Sequence, residues 1–208
     1  MAVANLRPVD LPLAVKRTRW LHHFQAWSLK LKRRVSLYSR ANLAVWLLIE
    51  ASPDIEYFCE RPGHVLVDGK RVLADFRVQR DRQTEFFVLL GSAKLSLLDD
   101  PGGLMDPCPI RIITPEWTQD RAQLIANWTR ILPVITTGMP FVHDSLLDEV
   151  HERIQSVDRL VDIERRHLPR DPILTRATVF ELTRRGRLIA DDLQSQSLSG
   201  ATRFAKAG

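Results

Sequence analysis

The region between residues 55 and 113 constrains the fold most, because it breaks into short β-prone segments separated by turn signals. One segment, HVLVDGKRVLADFRV, contains Asp68-Gly69, the dipeptide of a tight β-hairpin turn. Another, EFFVLL, is apolar enough to be a central strand. The predicted strand segments are residues 55–59, the hairpin over 64–78 with its second strand at 72–78, 85–90 and 110–113. With helical patterns on both sides, these strands predict a mixed α/β domain built on one sheet.

Helical patterns flank the predicted strands. Residues 39–51 carry apolar side chains at helical spacing, and Ser39 is the expected N-cap. Thr114 is the expected N-cap of a second helix, which runs over residues 115–132 and has Pro115 at its first position.

The last third of the chain predicts a smaller, mainly helical domain. Thr136-Thr137-Gly138-Met139-Pro140 predicts a linker before it. Helices are expected over residues 144–156, 157–167 and 173–185, and RLIADDL then predicts a short strand or wing. Three helices followed by a small β element is the pattern of a winged-helix module. The predicted parts are a basic arm at 1–35, an α/β domain at 36–138 and this C-terminal domain at 139–208.

Positive charge is concentrated at the N-terminus. The chain has a formal net charge of +5, yet residues 1–40 hold nine Lys or Arg against the single acid Asp10. Trp20, Phe24 and Trp27 recur at helical spacing, so residues 18–33 predict a basic amphipathic helix. Two interpretations remain open: a face that binds phosphates and releases counterions, or a merely solvated basic face. The residues predicted to contact DNA are Lys30, Lys32, Arg33, Arg34 and Arg40.

Two carboxylates on neighbouring predicted strands are the candidates for chemistry. Asp75 falls within the hairpin segment, and Glu85 begins the next strand ten residues later. Carboxylates that converge on one side of a sheet can hold Mg²⁺ and leave positions open for a phosphodiester. The alternative is that both are ordinary strand-end carboxylates paired with Arg71, Arg77 or Arg82.

Several stretches, in order, carry a family resemblance: RRVSLYSRANLAVWLLIEASPDIEYFCERP, VDGKRVLADFRV, EFFVLL, IRIITPEWTQDRAQLIANWTRIL, and ELTRRGRLIADDL followed by LSGATRF. They resemble the TnsA family, the endonuclease subunits of heteromeric transposases, which belongs to the PD-(D/E)XK nuclease superfamily. The first four resemble that family's catalytic helix, metal-binding hairpin, next strand and closing helix. The last resembles its C-terminal helical domain. The resemblance implies a restriction-endonuclease-like core, in which helices flank a mixed sheet.

Carried over residue by residue, the resemblance implies a degenerate catalytic site. The metal-binding Asp matches Asp75, and the second acidic or amide position matches Glu85. The helix Glu falls on Asn42 and the catalytic Lys on Phe87, so two of the four positions are changed. Phe87 carries no charge and cannot orient water. Glu50, two turns further along the helix, is the candidate for a replacement carboxylate.

The resemblance implies a DNA-binding subunit of a transposition or mobile-element complex, and the two changed catalytic positions imply that it has lost cleavage activity. It also implies a transposase subunit and an AAA+ ATPase as partners. One alternative is an active Mg²⁺-dependent endonuclease in which Asn42 or Glu50 completes the metal shell around Asp75 and Glu85. Another is a DNA-binding regulator that uses the winged helix, where Arg184, Arg185 and Arg187 are candidates for DNA or partner contact.

The remaining features predict a cytoplasmic protein that does not contact a membrane. The longest apolar stretch, residues 43–49, is far shorter than the roughly 20 residues of a membrane span. No signal peptide is expected, because the N-terminus lacks a basic start followed by an apolar run. Two cysteines, Cys59 and Cys108, fit a reducing compartment.

Overall fold

In the computed structural model, the described residues are 11–16, 21–91, 95–98 and 103–208. The chain divides into two compact units. The first comprises the chain up to residue 46 together with 55–118, and the second comprises 47–54 together with 119–208. The C-terminal division falls near residue 118, and the described residues 11–16 and 21–46 belong to the first unit.

The first unit contains a sheet, two hairpins and helical segments. Its elements in chain order are β1 (Phe24–Ser28), β2 (Arg33–Leu37), α1 (Arg40–Ala51, whose last turns belong to the second unit), β3 (Ile55–Glu60), β4 (His64–Val67), β5 (Lys70–Leu73), β6 (Phe76–Arg80), β7 (Gln83–Leu89), β8 (Ile110–Ile113) and α2 (Pro115–Gln119). The predicted caps are confirmed: the Ser39 hydroxyl accepts from the Asn42 N–H at 3.0 Å, and the Thr114 hydroxyl accepts from the Trp117 N–H at 3.3 Å.

The central sheet has the strand order β3-β6-β7-β8. Its first three strands are antiparallel, and β8 runs parallel to β7. On one face, Phe86 and Val88 pack with Val65 and Ala74 against the β4–β5 hairpin. The prediction of an α/β fold with a mixed sheet flanked by helices is therefore confirmed.

The segment predicted as one strand over residues 72–78 is interrupted. β5 ends at Leu73, and the chain then passes from the small hairpin into the central sheet. The Ala74 N–H donates to Gly63 O, whereas the Asp75 N–H donates to Phe87 O. Because the hydrogen-bonding partner changes at this point, Asp75 lies immediately before β6.

The basic helix predicted within residues 18–33 is wrong, because β1 and β2 form an antiparallel hairpin there. The burial of Val35 and Leu37 follows the two-residue period of a strand. At the turn, the Ser28 hydroxyl accepts from the Leu31 N–H at 3.0 Å, and Lys32 adopts a φ of 52°. Trp20, one of the aromatics that suggested a helix, lies outside the described residues.

The second unit is mainly helical. Its elements are α3 (Ala122–Gly138), α4 (Asp144–Arg153), β9 (Asp158–Arg159), α5 (Leu160–Arg166), α6 (Pro172–Arg184), β10 (Leu188–Ile189), α7 (Asp192–Ser195) and β11 (Arg203–Lys206). The three short strands form a sheet of order β10-β11-β9. Gly186 ends α6 with a φ of 72°, as predicted for its C-cap. No helix among the described residues has the length and apolarity that crossing a lipid bilayer requires.

The linker predicted at residues 136–140 is wrong, because α3 continues to Gly138. A Cβ at Gly138 would lie 2.5 Å from the Cβ of Ala177 on α6, so the glycine allows the two helices to pack closely. The glycine that suggested a linker is a packing residue.

Asn127 on α3 holds the chain after α7. Its Nδ2 donates to Leu193 O at 2.8 Å and to Gln196 O at 2.7 Å, and its Oδ1 accepts from the Leu198 N–H at 2.8 Å. The side chain is buried, so these bonds satisfy backbone groups that water cannot reach.

We predict that Asn127→Ala destabilises the protein by about 2–3 kcal/mol, because buried backbone groups lose their partners. Thr129→Ala, on an exposed position of the same helix, should change stability by less than about 0.5 kcal/mol. Urea unfolding followed by tryptophan fluorescence measures both. Equal effects of the two substitutions would contradict the role given to Asn127.

Glu181 on α6 is fully buried and paired with two arginines. Its carboxylate accepts from Arg184 Nε and Nη2 at 2.7 and 2.8 Å and from Arg185 Nε at 2.7 Å. Burial by itself would raise the pKa of Glu181, but the two guanidinium groups outweigh it and the pKa is lowered.

A lowered pKa in the folded state gives stability that is present above the unfolded pKa of about 4.5 and is lost as the pH falls through the folded value. We therefore expect the free energy of unfolding to fall from about pH 5 downward. Glu181→Gln should cost about 3 kcal/mol at pH 7, because it leaves the arginines without their buried partner, and should flatten the acid dependence. Urea unfolding between pH 3 and 7 tests this, and an equally steep acid loss in the variant would contradict it.

Candidate functional site

The structure brings together two of the predicted site residues, Asn42 and Asp75. Asn42 lies in the first turn of α1, where its N–H and its Oδ1 both bond to the Ser39 hydroxyl, at 3.0 and 2.8 Å. Its Nδ2 donates to Asp75 Oδ1 at 2.8 Å. Both side chains are buried, with 8% and 9% of their surface exposed. The helix cap therefore orients the amide toward the carboxylate.

The second oxygen of Asp75 is bonded to the neighbouring strand. Asp75 Oδ2 accepts from the Leu89 N–H at 2.7 Å, and the Asp75 N–H donates to Phe87 O at 2.9 Å. The Asp75 backbone carbonyl accepts from the Arg61 N–H at 2.8 Å. This carboxylate is thus part of the hydrogen-bonding structure that joins α1, β6 and β7.

Glu85 does not lie beside Asp75. In the β6–β7 register, Phe87 is opposite Phe76 and Glu85 is opposite Val78. Three residues along the strands separate the two carboxylates, which corresponds to roughly 10 Å. Glu85 instead accepts from Arg111 Nε on β8 at 3.1 Å, so it forms an ion pair, but with a different arginine from those predicted.

Phe87 shares the sheet face of Glu85, because the intervening Phe86 points into the cluster on the other face. It is buried, and the Arg111 guanidinium carbon lies 5.7 Å from its ring centroid. The residues of β7 bonded to Asp75 are Phe87 and Leu89. Neither side chain offers a metal ligand or a charge at this position.

A narrow pocket lies against the Asn42–Asp75 pair. It is lined by Leu37, Tyr38, Asn42, Glu60, Arg61, Asp75, Phe76 and Leu95. Its space admits about one water molecule. Its aromatic lining residues are Tyr38 and Phe76, and Phe87 is not part of the lining.

The residues around Asp75 do not fit Mg²⁺. This ion requires near-octahedral oxygen ligands, several of them waters, whereas Asp75 faces the amide group of Asn42 and the Leu89 N–H. Glu60, the other carboxylate of the pocket, is held by Arg33. Within the ranges that the structure describes, no group of three His, Cys, Asp or Glu side chains could hold a metal ion.

The pocket also contains two buried charges that the sequence analysis missed. Glu60 accepts from Arg33 Nη1 and Nη2 at 2.8 and 2.6 Å, and hydrogen bonding to Glu60 raises the pKa of Arg33. Arg61 donates to Leu13 O at 3.1 Å and to Ser36 O, and its burial lowers its pKa. The signal in the sequence was the adjacent pair of opposite charges, Glu60 and Arg61, at the end of the β-prone segment 55–59.

The five residues predicted to bind DNA divide into two groups. Arg33 is bonded to Glu60, and Lys30 Nζ donates to Ile55 O at 2.6 Å, so both contribute to the structure of the first unit. Lys32, Arg34 and Arg40 are exposed. Among the described residues, no carboxylate forms an ion pair with any of these three.

The remaining candidates lie in the second unit or its segment of α1. Glu50 is fully buried in the part of α1 that belongs to the second unit. Arg184 is bonded to Glu181, Arg185 to Glu181 and Asp144, and Arg187 to Asp148. All three arginines are therefore neutralised by carboxylates of their own unit.

Cys59 is not a nucleophile at neutral pH. The thiol is buried in β3, and this burial raises its pKa to about 12. A thiol in that state has almost no thiolate at pH 7.

Neither a protein-family model nor a curated protein matches the sequence.

We predict that Asp75→Ala lowers stability by about 2–3 kcal/mol in the presence of EDTA, because the Asn42 amide and the Leu89 N–H lose a buried acceptor. Glu85→Ala, which removes a partly exposed ion pair, should cost less than about 1 kcal/mol. Thermal unfolding with EDTA and with Mg²⁺ measures both. A more stable Asp75→Ala variant, or Mg²⁺ stabilisation of the original chain alone, would indicate a metal-binding carboxylate instead.

Proposed function

We propose that this chain is a DNA-binding subunit of the TnsA type that acts in a transposition or mobile-element complex and does not cleave DNA. The observation that carries the proposal is the hydrogen bond between Asn42 and Asp75, at the point where the resemblance implies two metal-binding acids. Two carboxylates at this point could bind one cation between them. The Asn42 amide instead donates a hydrogen bond directly to the Asp75 carboxylate.

The architecture of the first unit supports the nuclease-like part of the proposal. A mixed sheet with helix α1 before its first strand is what the resemblance implies for a restriction-endonuclease-like core. A fold does not determine an activity, so the chemistry of the site has to decide whether cleavage is retained.

The chemistry of the site argues against cleavage. A metal-dependent nuclease needs carboxylates that converge on the cation and a group that orients the attacking water. Here Asp75 is bonded to Asn42 and Leu89, Glu85 is displaced along β7, and Phe87 is apolar. If the protein were active, Mg²⁺ would be its cofactor and a rearranged ligand set would be required.

The charge distribution supports DNA binding by the first unit. Residues 21–46 contain five Lys or Arg and no Asp or Glu. Excess cations on one surface attract a phosphate backbone and release its counterions.

From α4 onward the second unit runs helix, strand, two helices, strand, short helix, strand, which differs from a winged-helix module by the short helix α7 between its last two strands. A recognition helix in such a module presents side chains to a DNA groove. Helix α6, in that place in the order, is mostly buried, and the arginines at its end are ion-paired. We therefore favour protein contact over DNA reading for this unit, with a transposase subunit and an AAA+ ATPase as the partners that the resemblance suggests.

The decisive experiment incubates the full chain with supercoiled plasmid in Mg²⁺ or Mn²⁺ and measures nicking, cleavage and DNA binding in parallel. We expect binding without cleavage, since the site lacks converging metal ligands. The matched variants are Asp75→Asn and Glu85→Gln, each of which removes one negative charge.

Cleavage by the original chain that is lost in Asp75→Asn would overturn the degenerate assignment and favour an active endonuclease. Binding that resides in the second unit and is abolished by Arg187→Ala would favour a winged-helix regulator. Absence of DNA binding at low salt would contradict the whole proposal.

A further inference from the structure

We infer that the outer face of the β1–β2 hairpin binds single-stranded DNA, with an unpaired base stacked on Trp27 and phosphates held by the neighbouring cations. The outer face is defined by Gln25, Trp27, Arg34 and Ser36. This inference rests on the proposed DNA-binding function and extends it to a surface and a form of DNA.

The hairpin register places these side chains on one surface. Trp27 is opposite Arg34 and Gln25 is opposite Ser36, whereas Val35 between them is fully buried. Because side chains alternate along a strand, the partners of these cross-strand pairs share the face opposite Val35.

Trp27 is available for stacking. About 47% of its surface is exposed, and none of the ring or cation contacts among the described residues involves it. An indole ring provides a flat surface for any nucleobase, but a base inside a duplex cannot reach it. The exposure of Trp27 therefore favours unpaired over paired DNA.

Beside this face, ring contacts hold the residues that flank the paired strands. The His23 and Tyr38 rings stack with centroids 4.9 Å apart and planes within 7°. The Arg61 guanidinium carbon lies 5.0 Å from the Tyr38 centroid. These contacts hold Tyr38 in place, so we assign stacking to Trp27 and not to Tyr38.

The charges near the face favour a polyanion as its ligand. Lys32 and Arg34 lie in the hairpin and Arg40 follows it, and all three are exposed without an ion pair to the described carboxylates. In the second unit, by contrast, most arginines are neutralised: Arg153, Arg159, Arg166, Arg170, Arg176, Arg184, Arg185, Arg187 and Arg203. Cations without a neighbouring carboxylate attract a phosphate backbone and release its counterions.

The test is fluorescence anisotropy of the full chain with a labelled single-stranded oligonucleotide and with its duplex. We expect tighter binding of the single strand. Trp27→Ala should weaken that binding by roughly tenfold and change duplex binding little, while Trp27→Phe should retain most of the affinity.

Arg34→Ala should weaken binding of both forms and lower the slope of log affinity against log salt by about 0.7–0.9. Arg153→Ala, which removes the same charge from an exposed position of the second unit, is the control and should leave binding unchanged.

The two proposals fail in different ways. If the chain binds DNA but Trp27→Ala has no effect on the single strand, the hairpin assignment is overturned and the DNA-binding function remains. If the chain binds neither form of DNA, the proposed function is overturned together with this inference. Equal affinity for both forms would also overturn the assignment of an unpaired base.

Discussion

The buried carboxylate of Asp75 joins a helix to the central sheet of the first unit. It accepts one hydrogen bond from Asn42 on helix α1 and another from the Leu89 N–H on strand β7. The backbone of the same residue bonds to Phe87 and Arg61. A buried carboxylate that joins a helix to two strands contributes to folding, and the donors that hold it reduce its ability to coordinate a cation.

Much of the fold could be predicted where the signals are local. The Ser39 and Thr114 caps, the Asp68-Gly69 turn and the Gly186 terminus each follow from the conformational preference of one or two residues. The β1–β2 hairpin was missed because its turn lacks glycine and its aromatics match a helical period. The helix through Gly138 was missed because a packing glycine has the same local signature as a flexible one.

Of the candidate site, the pairing of Asn42 with Asp75 could be predicted from the sequence, but the position of Glu85 could not. The resemblance assigned Asn42 and Asp75 to one site, because it matches them to the acids of the family's catalytic helix and metal-binding hairpin. A hydrogen bond joins the two side chains. The distance of Glu85 from Asp75 depends on the strand register, which is set by the exchange of partners at Ala74 and Asp75. The number of residues between Asp75 and Glu85 does not fix this register, because a shift of two residues between paired strands leaves every side chain on the same face of the sheet.

The two units differ in how their charges are compensated, and this difference has a consequence for their response to ionic strength. The ion pairs of the second unit are attractions between nearby opposite charges, which added salt weakens where they are exposed. The uncompensated cations around the hairpin repel one another, and salt relieves that repulsion. Raising the ionic strength should therefore destabilise the second unit and stabilise the hairpin region of the first. The order in which the two units unfold should then depend on the salt concentration.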